Sequence, residues 1–208
     1  MFKKYTQKTL IFFAVILISS CSAVQIKKNQ DQIDHHVSND LYKNNEFQLL
    51  GKLGFKSSSQ AGSATINWLQ QFNSYKITIS GPLGSNRTIL EGNELYAQMQ
   101  IQGKNIYGSP EALSSELLGV SLPIGLMRFW IMGIPAPNYS YTNGNFYKNS
   151  GAYSSFRQLD WTLDFSRYKI FNSTYLPTRI EGSYQDHSFT MVVKNWRNIP
   201  NEKLSSGE

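Results

Sequence analysis

Apolar and polar residues alternate with a period of two in several runs of this chain. The runs at 47–55, 64–68, 75–79 and 159–165 each place an apolar or small residue at every second position. This period is typical of antiparallel strands that have one face against a core or cavity and the other against water. Turn-forming residues separate the runs at 60–62, 81–84, 92–93, 103–104, 143–145 and 185–187. Many short strands at near-regular spacing predict a meander, and thus a barrel or a strongly curved sheet.

Two runs in the middle of the chain have helical spacing instead. Residues 110–118 begin with proline and are followed by glycine, as helices often are. Residues 122–132 carry large apolar side chains at helical spacing, with Arg128 as their only charge. Such an insertion between two groups of strands predicts helices that lie across or inside the curved sheet.

The first 21 residues have the pattern of a bacterial lipoprotein signal. Three lysines precede an uninterrupted apolar run at 10–18, about half the length that a membrane-spanning helix needs. The run ends in ISSC at 18–21, which resembles a lipobox whose cysteine is acylated and becomes the first residue. A plain signal peptide with an incidental cysteine is the alternative. It is disfavoured because Cys21 is the only cysteine of the chain. Ser22, where an aspartate would favour the inner membrane, points to the outer membrane.

Composition divides the chain into four segments. Residues 1–20 are the predicted signal peptide, and 21–45 are a polar, lipidated N-terminus that serves as a tether. Residues 46–200 form the strand-rich domain, and 201–208 are a polar tail. Fully extended, the tether reaches roughly 75 Å.

The charge of the chain argues against nucleic acid as a partner. The net charge of +6 includes three signal lysines, and without them 17 basic residues face 14 acidic ones, leaving about +3. The sequence has no run of Lys and Arg and no basic helix face. Modest attraction to anionic lipid headgroups or to an acidic partner remains open.

Residues that carry catalysis are scarce. The chain has no Gly-x-Ser-x-Gly motif and no phosphate loop, and acylation of Cys21 leaves no thiol for a nucleophile, disulfide or metal site. His187 beside Asp186 is expected to be a surface histidine in a turn, with a Ser/His/Asp site as the alternative. His35 and His36 in the polar tether are expected to be solvated. We therefore predict no catalytic residues, no metal and no cofactor.

Aromatic residues are abundant, with four Trp, twelve Tyr and twelve Phe. They indicate either a well-filled core or a cavity for an apolar ligand, because ligand pockets are mostly apolar and aromatic. Composition alone favours the core. A curved sheet with inserted helices shifts the balance towards a cavity, since barrels of about eight strands or more can enclose a ligand.

Three groups of motifs make the chain recognisable. They are ATINW at 64–68 with the segment 75–85, LPI at 122–124 with MRFWIMGIP at 127–135, and WTLDF at 161–165 with LP at 176–177 and VKNW at 193–196. In this order and spacing, and together with the lipobox, they resemble the outer-membrane lipoprotein receptor family LolB. The resemblance covers nearly the whole chain. Gly81 departs from it, because a more polar residue is expected before the proline of that loop.

The resemblance implies both a fold and a function. The fold is an unclosed antiparallel β-barrel around a hydrophobic cavity, with helices as a lid. The function is to accept acylated lipoproteins from a periplasmic carrier, LolA, and to insert them into the outer membrane without nucleotide hydrolysis. The implied partners are LolA, the lipoprotein cargo and outer-membrane phospholipid. The chain is expected to be a monomer on the periplasmic face of the outer membrane, anchored through Cys21.

The resemblance also implies roles for residues. Pro82, Leu83 and Gly84 form a membrane-insertion loop from which Leu83 projects, the alternative being a turn leucine folded onto the core. We expect Arg128 to be a solvated helix arginine, with orientation of the lid helix or headgroup binding as alternatives. The candidates for cavity or lid contacts, for which plain core packing is the alternative, are Trp68, Ile77, Ile79, Leu126, Trp130, Trp161 and Phe165.

Two other functions stay open at this point. One is an outer-membrane lipoprotein whose barrel binds a small apolar ligand, as lipocalins do. The other is an envelope hydrolase, which needs a nucleophile and a base that the sequence does not supply.

Overall fold

The structure is a computed structural model that describes residues 41–42, 46–172 and 174–197. All of these belong to one compact unit of the chain, Ser38–Glu208. The predicted signal peptide, Cys21, the two tether histidines and the polar tail lie outside the described residues.

The described fold has thirteen strands, two α-helices and one short 3₁₀ helix at Pro82–Gly84, and Leu41 and Tyr42 before the first strand are also helical. From residue 46 onwards, six strands come before the two α-helices and seven after them. In chain order they are β1 (Glu46–Lys56), β2 (Ala61–Gln71), β3 (Ser74–Ser80), β4 (Thr88–Gly92), β5 (Ala97–Ile101), β6 (Lys104–Gly108), α1 (Pro110–Leu118), α2 (Ile124–Ile131), β7 (Tyr141–Phe146), β8 (Tyr153–Gln158), β9 (Trp161–Ser166), β10 (Lys169–Phe171), β11 (Thr174–Leu176), β12 (Arg179–Tyr184) and β13 (His187–Arg197).

Eleven of these strands form one antiparallel sheet, in the order β6-β5-β4-β3-β2-β1-β13-β12-β9-β8-β7. The pairing of β1 with β13 joins the first and last strands of the chain, with Leu49 opposite Trp196. The edge strands β6 and β7 do not pair with each other, so the sheet stays open, and the chain between them forms the helices. The predicted fold class, mainly β with inserted helices and an unclosed barrel, is confirmed.

Alternating burial in β1 explains why this sequence forms a strand at the centre of the sheet. Phe47, Leu49 and Leu53 are buried on one face, as the period of two predicts. A bulge after Leu50 shifts the register against β13. Glycine is required at the next position, because a Cβ on Gly51 would lie 2.5 Å from the carbonyl oxygen of Val192.

The ends of both helices follow from local chemistry. Ser109 caps α1 by accepting a hydrogen bond from the Ala112 amide at 3.2 Å, and Gly119 ends the helix with a φ of +66°. α1 therefore has the bounds that the sequence predicts. α2 begins two residues later than predicted, because Pro123 disfavours helical backbone at the residue before it.

Three local expectations were wrong. The turn predicted at 60–62 lies at 57–60, because β2 already begins at Ala61. The predicted turn at 143–145 lies inside β7, where Asn143 has a φ of +55° and the pairing with β8 is irregular. Leu159 was expected to begin an inward-facing strand, but Leu159 and Asp160 form the β8–β9 turn with φ values of +50° and +65°. These errors arose because turn residues and alternation occur together at these positions, and cross-strand pairing decided between them.

The meander from β1 to β6 brings alternate connections to opposite ends of the sheet. One end holds the β1–β2 turn at 57–60, the β3–β4 loop at 81–87 and the β5–β6 turn at 102–103. We call it the Leu83 end. The opposite end holds the β2–β3 turn at 72–73 and the β4–β5 turn at 93–96. We call it the Phe72 end.

The chain enters the sheet at the Phe72 end, where Glu46 pairs with Gln71. α1 also begins at this end, because it follows the last residue of β6. α1 finishes near the Leu83 end, since Gly119 lies against the side chain of Gln60 in the β1–β2 turn. The first helix therefore crosses the sheet from one end to the other.

Candidate functional site

A small cavity lies between the sheet and the two helices. Its volume is about 20 Å³. It is lined by Leu53, Ile66, Trp68, Ile77, Ile79, Leu90, Ser114, Leu117, Leu118, Leu122, Ile124, Met127 and Met191. Strands and helices both contribute to this lining, so α1 and α2 form one wall of the cavity.

The lining contains one hydroxyl, that of Ser114, and this hydroxyl is fully used in hydrogen bonds within the protein. Ser114 on α1 is 2% exposed. Its Oγ donates to the Glu111 carbonyl at 2.9 Å and accepts from the Leu122 amide at 2.9 Å. Because these partners satisfy the hydroxyl, no polar group is left to bind a ligand through this side chain. The lining therefore suits hydrocarbon.

The cavity is far too small for an acyl chain in this conformation. A volume of about 20 Å³ holds on the order of one water molecule. Side chains from α2 and from the strands fill the rest of the interior, including Met127 and Ile77, each 1% exposed. The helices thus lie closed on the sheet.

The predicted cavity residues fall into two groups. Trp68, Ile77 and Ile79 line the cavity, and Leu126 is half-buried on α2 outside the lining. The other three belong to a buried aromatic cluster outside the lining: Trp130, Trp161 and Phe165.

The aromatic cluster includes a polar network that the sequence did not reveal. Gln158, 1% exposed, accepts hydrogen bonds from Trp130 Nε1 and from the Ala136 amide, both at 2.8 Å. Its Nε2 donates to the carbonyls of Ala136 and Tyr139 at 2.9 Å. One glutamine therefore connects α2, the segment after it, and β8.

Arg128 was expected to be solvated, and this was wrong. It is 7% exposed, and its Nη2 lies 2.6 Å from Glu94 Oε1 in the β4–β5 turn. Its Nη1 donates to the Phe72 carbonyl at 2.8 Å and to Asn73 Oδ1 at 3.1 Å in the β2–β3 turn. Of the alternatives left open, orientation of the helix is the one that these contacts fit.

Burial makes the charged form of Arg128 less favourable. Burial lowers the pKa of its guanidinium, and the neighbouring Glu94 carboxylate opposes that shift. The Nε atom is buried without a hydrogen-bond partner. The lone charge in an otherwise apolar helix was the sequence signal for this site, but its partners in two separate turns could not be identified from sequence.

In the β3–β4 loop, none of Pro82, Leu83 and Gly84 is buried, and hydrogen bonds within the loop hold its shape. The Gly81 amide donates to the Ser85 carbonyl at 2.7 Å. The amide and the hydroxyl of Ser85 both donate to the Pro82 carbonyl. A Cβ on Gly81 would lie 2.9 Å from Ser85 Oγ, which gives a packing reason for glycine at the position that departs from the family pattern. These bonds close the loop around Pro82, Leu83 and Gly84, whose side chains or backbone are all exposed.

Leu83 is fully exposed and has left-handed backbone, with φ +56° and ψ +23°. This conformation costs a residue with a side chain roughly 1–2 kcal/mol. Phe72 and Leu159 also combine exposure with positive φ, but they lie in two-residue hairpin turns, which favour that conformation. The seven-residue loop around Leu83 has no such requirement.

The remaining chemistry of the described residues is sparse. His187 is half-buried at the start of β13, and its ring stacks against Tyr184. No group of His, Cys, Asp and Glu in the described part of the chain is arranged to hold a metal ion. None of the helices in that part is long and apolar enough to cross a bilayer.

Solved structures resemble this fold at low sequence identity. A LolA superfamily protein from Nitrosomonas europaea superposes with a TM-score of 0.55 at 11% identity, covering 83% of this chain and 95% of its own. A DUF1329 family protein from Desulfovibrio piger gives a TM-score of 0.57 at 9% identity, covering 84% and 94%. At these identities the likeness concerns the fold alone.

Sequence comparison identifies the family. The sequence model described as "Outer membrane lipoprotein LolB" matches residues 45–196. The outer-membrane lipoprotein LolB of Pseudomonas aeruginosa (strain LESB58) is 35% identical over 153 residues, which are 73% of this chain and 74% of that protein. That of Pseudomonas syringae pv. syringae is 30% identical over 201 residues, covering 93% and 97%. The chain therefore belongs to the outer-membrane lipoprotein LolB family.

Proposed function

We propose that this protein is a lipid-anchored receptor in the outer membrane that accepts acylated lipoproteins from a LolA-type periplasmic carrier. It then inserts them into the outer membrane without nucleotide hydrolysis. Family membership supports the lipoprotein-sorting role. The anchor is Cys21, and the active form is a monomer.

The apolar interior beneath α1 and α2 carries this proposal. Moving an acyl chain into water costs about 0.8 kcal/mol per methylene, or about 12 kcal/mol for a chain of sixteen carbons. Lipoprotein acyl chains therefore need continuous shelter between two membranes. A cavity whose lining has no free polar group, closed by helices that join two edge strands, supplies such a shelter.

Accepting a chain requires the helices to move off the sheet. The closed cavity of about 20 Å³ leaves no room for hydrocarbon. Opening exposes apolar surface that the incoming chain then covers, so the receptor needs no fuel if it binds the chain more tightly than the carrier does.

Membrane contact through Leu83 is compatible with the position of the anchor. β1 has 11 residues, or about 36 Å, between the chain entry at the Phe72 end and the Leu83 end. Leu41 is buried and Tyr42 Oη donates to the Pro135 carbonyl at 2.8 Å, so the chain already contacts the domain there. The segment before it, residues 21–40, reaches roughly 65 Å when extended. It is long enough for Cys21 and Leu83 to contact the same membrane, although the chain enters the sheet at the opposite end.

A cargo-transfer experiment tests the proposal. The mature chain with Cys21→Ala, which removes the acylation site, is mixed with a soluble LolA-type carrier loaded with a triacylated lipoprotein. Pull-down of each protein then shows which one holds the cargo. Net transfer to this chain is expected. If cargo stays on the carrier while circular dichroism shows a folded receptor, the proposal is overturned, and binding of a small apolar ligand becomes the better account.

A further inference from the structure

Three basic residues surround the exposed leucine at the Leu83 end. Lys56 is the last residue of β1, Arg87 precedes β4 in the same loop as Leu83, and Lys104 is the first residue of β6. All three are exposed. Arg87 and Lys104 lie two strands apart, about 10 Å, because Thr88 and Lys104 both pair with Ile101. β2, which pairs with Lys56 through Ala61, packs beside the loop from the other side.

These cations have no acidic partner within the described residues. The sequence contains no Asp or Glu at 47–90 or at 95–110, and no ion pair is formed by Lys56, Arg87 or Lys104 in the described part of the chain. Elsewhere at this end, Glu116 is exposed two residues before the end of α1, Arg157 is paired with Asp160 at 3.1 Å, and Asp186 lies in the β12–β13 turn. The surroundings of Leu83 therefore carry unneutralised positive charge.

The opposite end has the reverse arrangement. Glu46, Glu91, Glu94 and Glu111 lie at or near the Phe72 end. The cations there are paired, Lys76 with Glu91 at 3.0 Å and Arg128 with Glu94 at 2.6 Å. The first six strands are thus basic at one end and acidic at the other, which net charge alone does not show.

We propose that the Leu83 end docks onto anionic phospholipid headgroups through Lys56, Arg87 and Lys104. This inference rests on the proposed membrane contact of Leu83. An exposed apolar side chain among unpaired cations matches the two layers of an anionic membrane surface, with hydrocarbon below and phosphates above. The cations extend from β1 to β6, a spread of several strands that fits an extended lipid surface better than a single acidic side chain. Attraction to such a surface is worth about fivefold in binding per cation.

Vesicle binding of the non-acylated mature chain with Cys21→Ala tests this inference. Vesicles of phosphatidylethanolamine with phosphatidylglycerol are compared with vesicles of phosphatidylethanolamine with phosphatidylcholine. The chain is expected to prefer the anionic vesicles, and added salt is expected to weaken that preference. Combined Lys56→Gln, Arg87→Gln and Lys104→Gln are expected to lower binding to anionic vesicles at least tenfold, while binding to zwitterionic vesicles stays unchanged.

A charge-matched control separates this surface from net charge. Lys148→Gln, Lys169→Gln and Arg197→Gln remove the same charge from exposed positions away from the Leu83 end. This control is expected to bind anionic vesicles as the parent chain does. Equal loss in both triple variants, or no loss in the first, overturns the inference.

Failure of this inference can be distinguished from failure of the proposed function. Cargo transfer from the carrier is measured on the same proteins. Normal transfer without a preference for anionic vesicles overturns headgroup docking alone. Headgroup docking through the three cations without any cargo transfer supports this inference and overturns the receptor proposal.

Discussion

The two ends of the first six strands differ in what their side chains are bound to. At the Leu83 end, Lys56, Arg87 and Lys104 have no ion-pair partner in the described structure, and the exposed leucine stands on a loop closed by its own hydrogen bonds. At the Phe72 end, Arg128 fastens α2 to two turns at once. The first end fits the proposed contact with a membrane. The second has the contacts that the proposed closure of the interior requires.

Both ends also expose apolar side chains, so exposure alone does not distinguish them. Phe72 is 65% exposed and Leu95 86% exposed, and Tyr96 stacks on Tyr107 with ring centroids 6.2 Å apart. Charge and backbone conformation distinguish the two ends instead. We therefore expect an apolar residue to matter for membrane delivery at the Leu83 end and not at the Phe72 end.

The largest expected effect comes from Leu83→Glu. A carboxylate placed in the hydrocarbon of a membrane costs about 3 kcal/mol, so delivery of cargo to vesicles is expected to fall at least tenfold. Acceptance of cargo from the carrier is expected to stay normal, because Leu83 has no part in the cavity lining. Delivery is measured as vesicle-bound cargo after flotation, and acceptance by pull-down.

Leu95→Glu is the matched control for that variant. It introduces the same charge at an exposed leucine of the Phe72 end. This variant is expected to deliver cargo normally. If it fails as completely as Leu83→Glu does, the distinction between the two ends is wrong.

The second prediction concerns the closed helices and uses a reversible crosslink. An ideal Cβ on Gly125 of α2 lies 3.1 Å from the Cβ of Glu94, a few tenths of an ångström below the usual range for a disulfide. In the Cys21→Ala background, Gly125→Cys with Glu94→Cys should therefore form a bond that holds α2 on the β4–β5 turn. The oxidised protein is expected to accept no cargo, and reduction is expected to restore acceptance.

Each single cysteine variant controls for the loss of Glu94 and for the added side chain on α2. Both are expected to accept cargo whether or not a reductant is present. Full acceptance by the oxidised double variant would show that cargo enters without movement of α2, and the closed interior would then need another explanation.

The strands and the first helix were predictable because local rules agree with the tertiary structure there. β1 and β9 alternate as buried strands do, and α1 has proline at its first position and glycine after its last. The open sheet was predictable only by adding the family resemblance, since periodicity alone does not distinguish a closed barrel from an open one.

The failures lie where distant residues decide the outcome. Arg128 is buried against partners that lie 34 to 56 positions away in the sequence. They belong to two turns that only the pairing of β3 with β4 brings together, so the sequence alone could not identify them. No motif or period in the sequence singles out Gln158, but it satisfies two donors and two carbonyls of the interior. The size of the cavity depends on how the helices pack, and no count of aromatic residues contains that information.

The smallest expected effects are on stability, and they come from replacing two arginines that each form one ion pair. Arg128→Ala removes three hydrogen bonds from a buried guanidinium, and the free energy of unfolding is expected to fall by about 2 kcal/mol. Loss of its unpartnered Nε partly offsets that cost. Arg157→Ala breaks a pair whose side chains are 50% and 70% exposed, and such pairs are worth at most about 1 kcal/mol. Urea unfolding measures both changes.

The rate of cargo acceptance in the same two variants distinguishes a loss of overall stability from the loss of contacts that keep α2 closed. If Arg128 keeps α2 closed, Arg128→Ala accepts cargo faster than the parent chain, because less free energy is needed to open the helices. Arg157→Ala leaves the rate unchanged, since Arg157 lies on β8 and its guanidinium pairs with Asp160 in the adjoining turn. Faster acceptance by both variants, in proportion to their loss of stability, would mean that global loosening opens the interior. Arg128 would then be a structural arginine, and the Phe72 end would have no role of its own in admitting cargo.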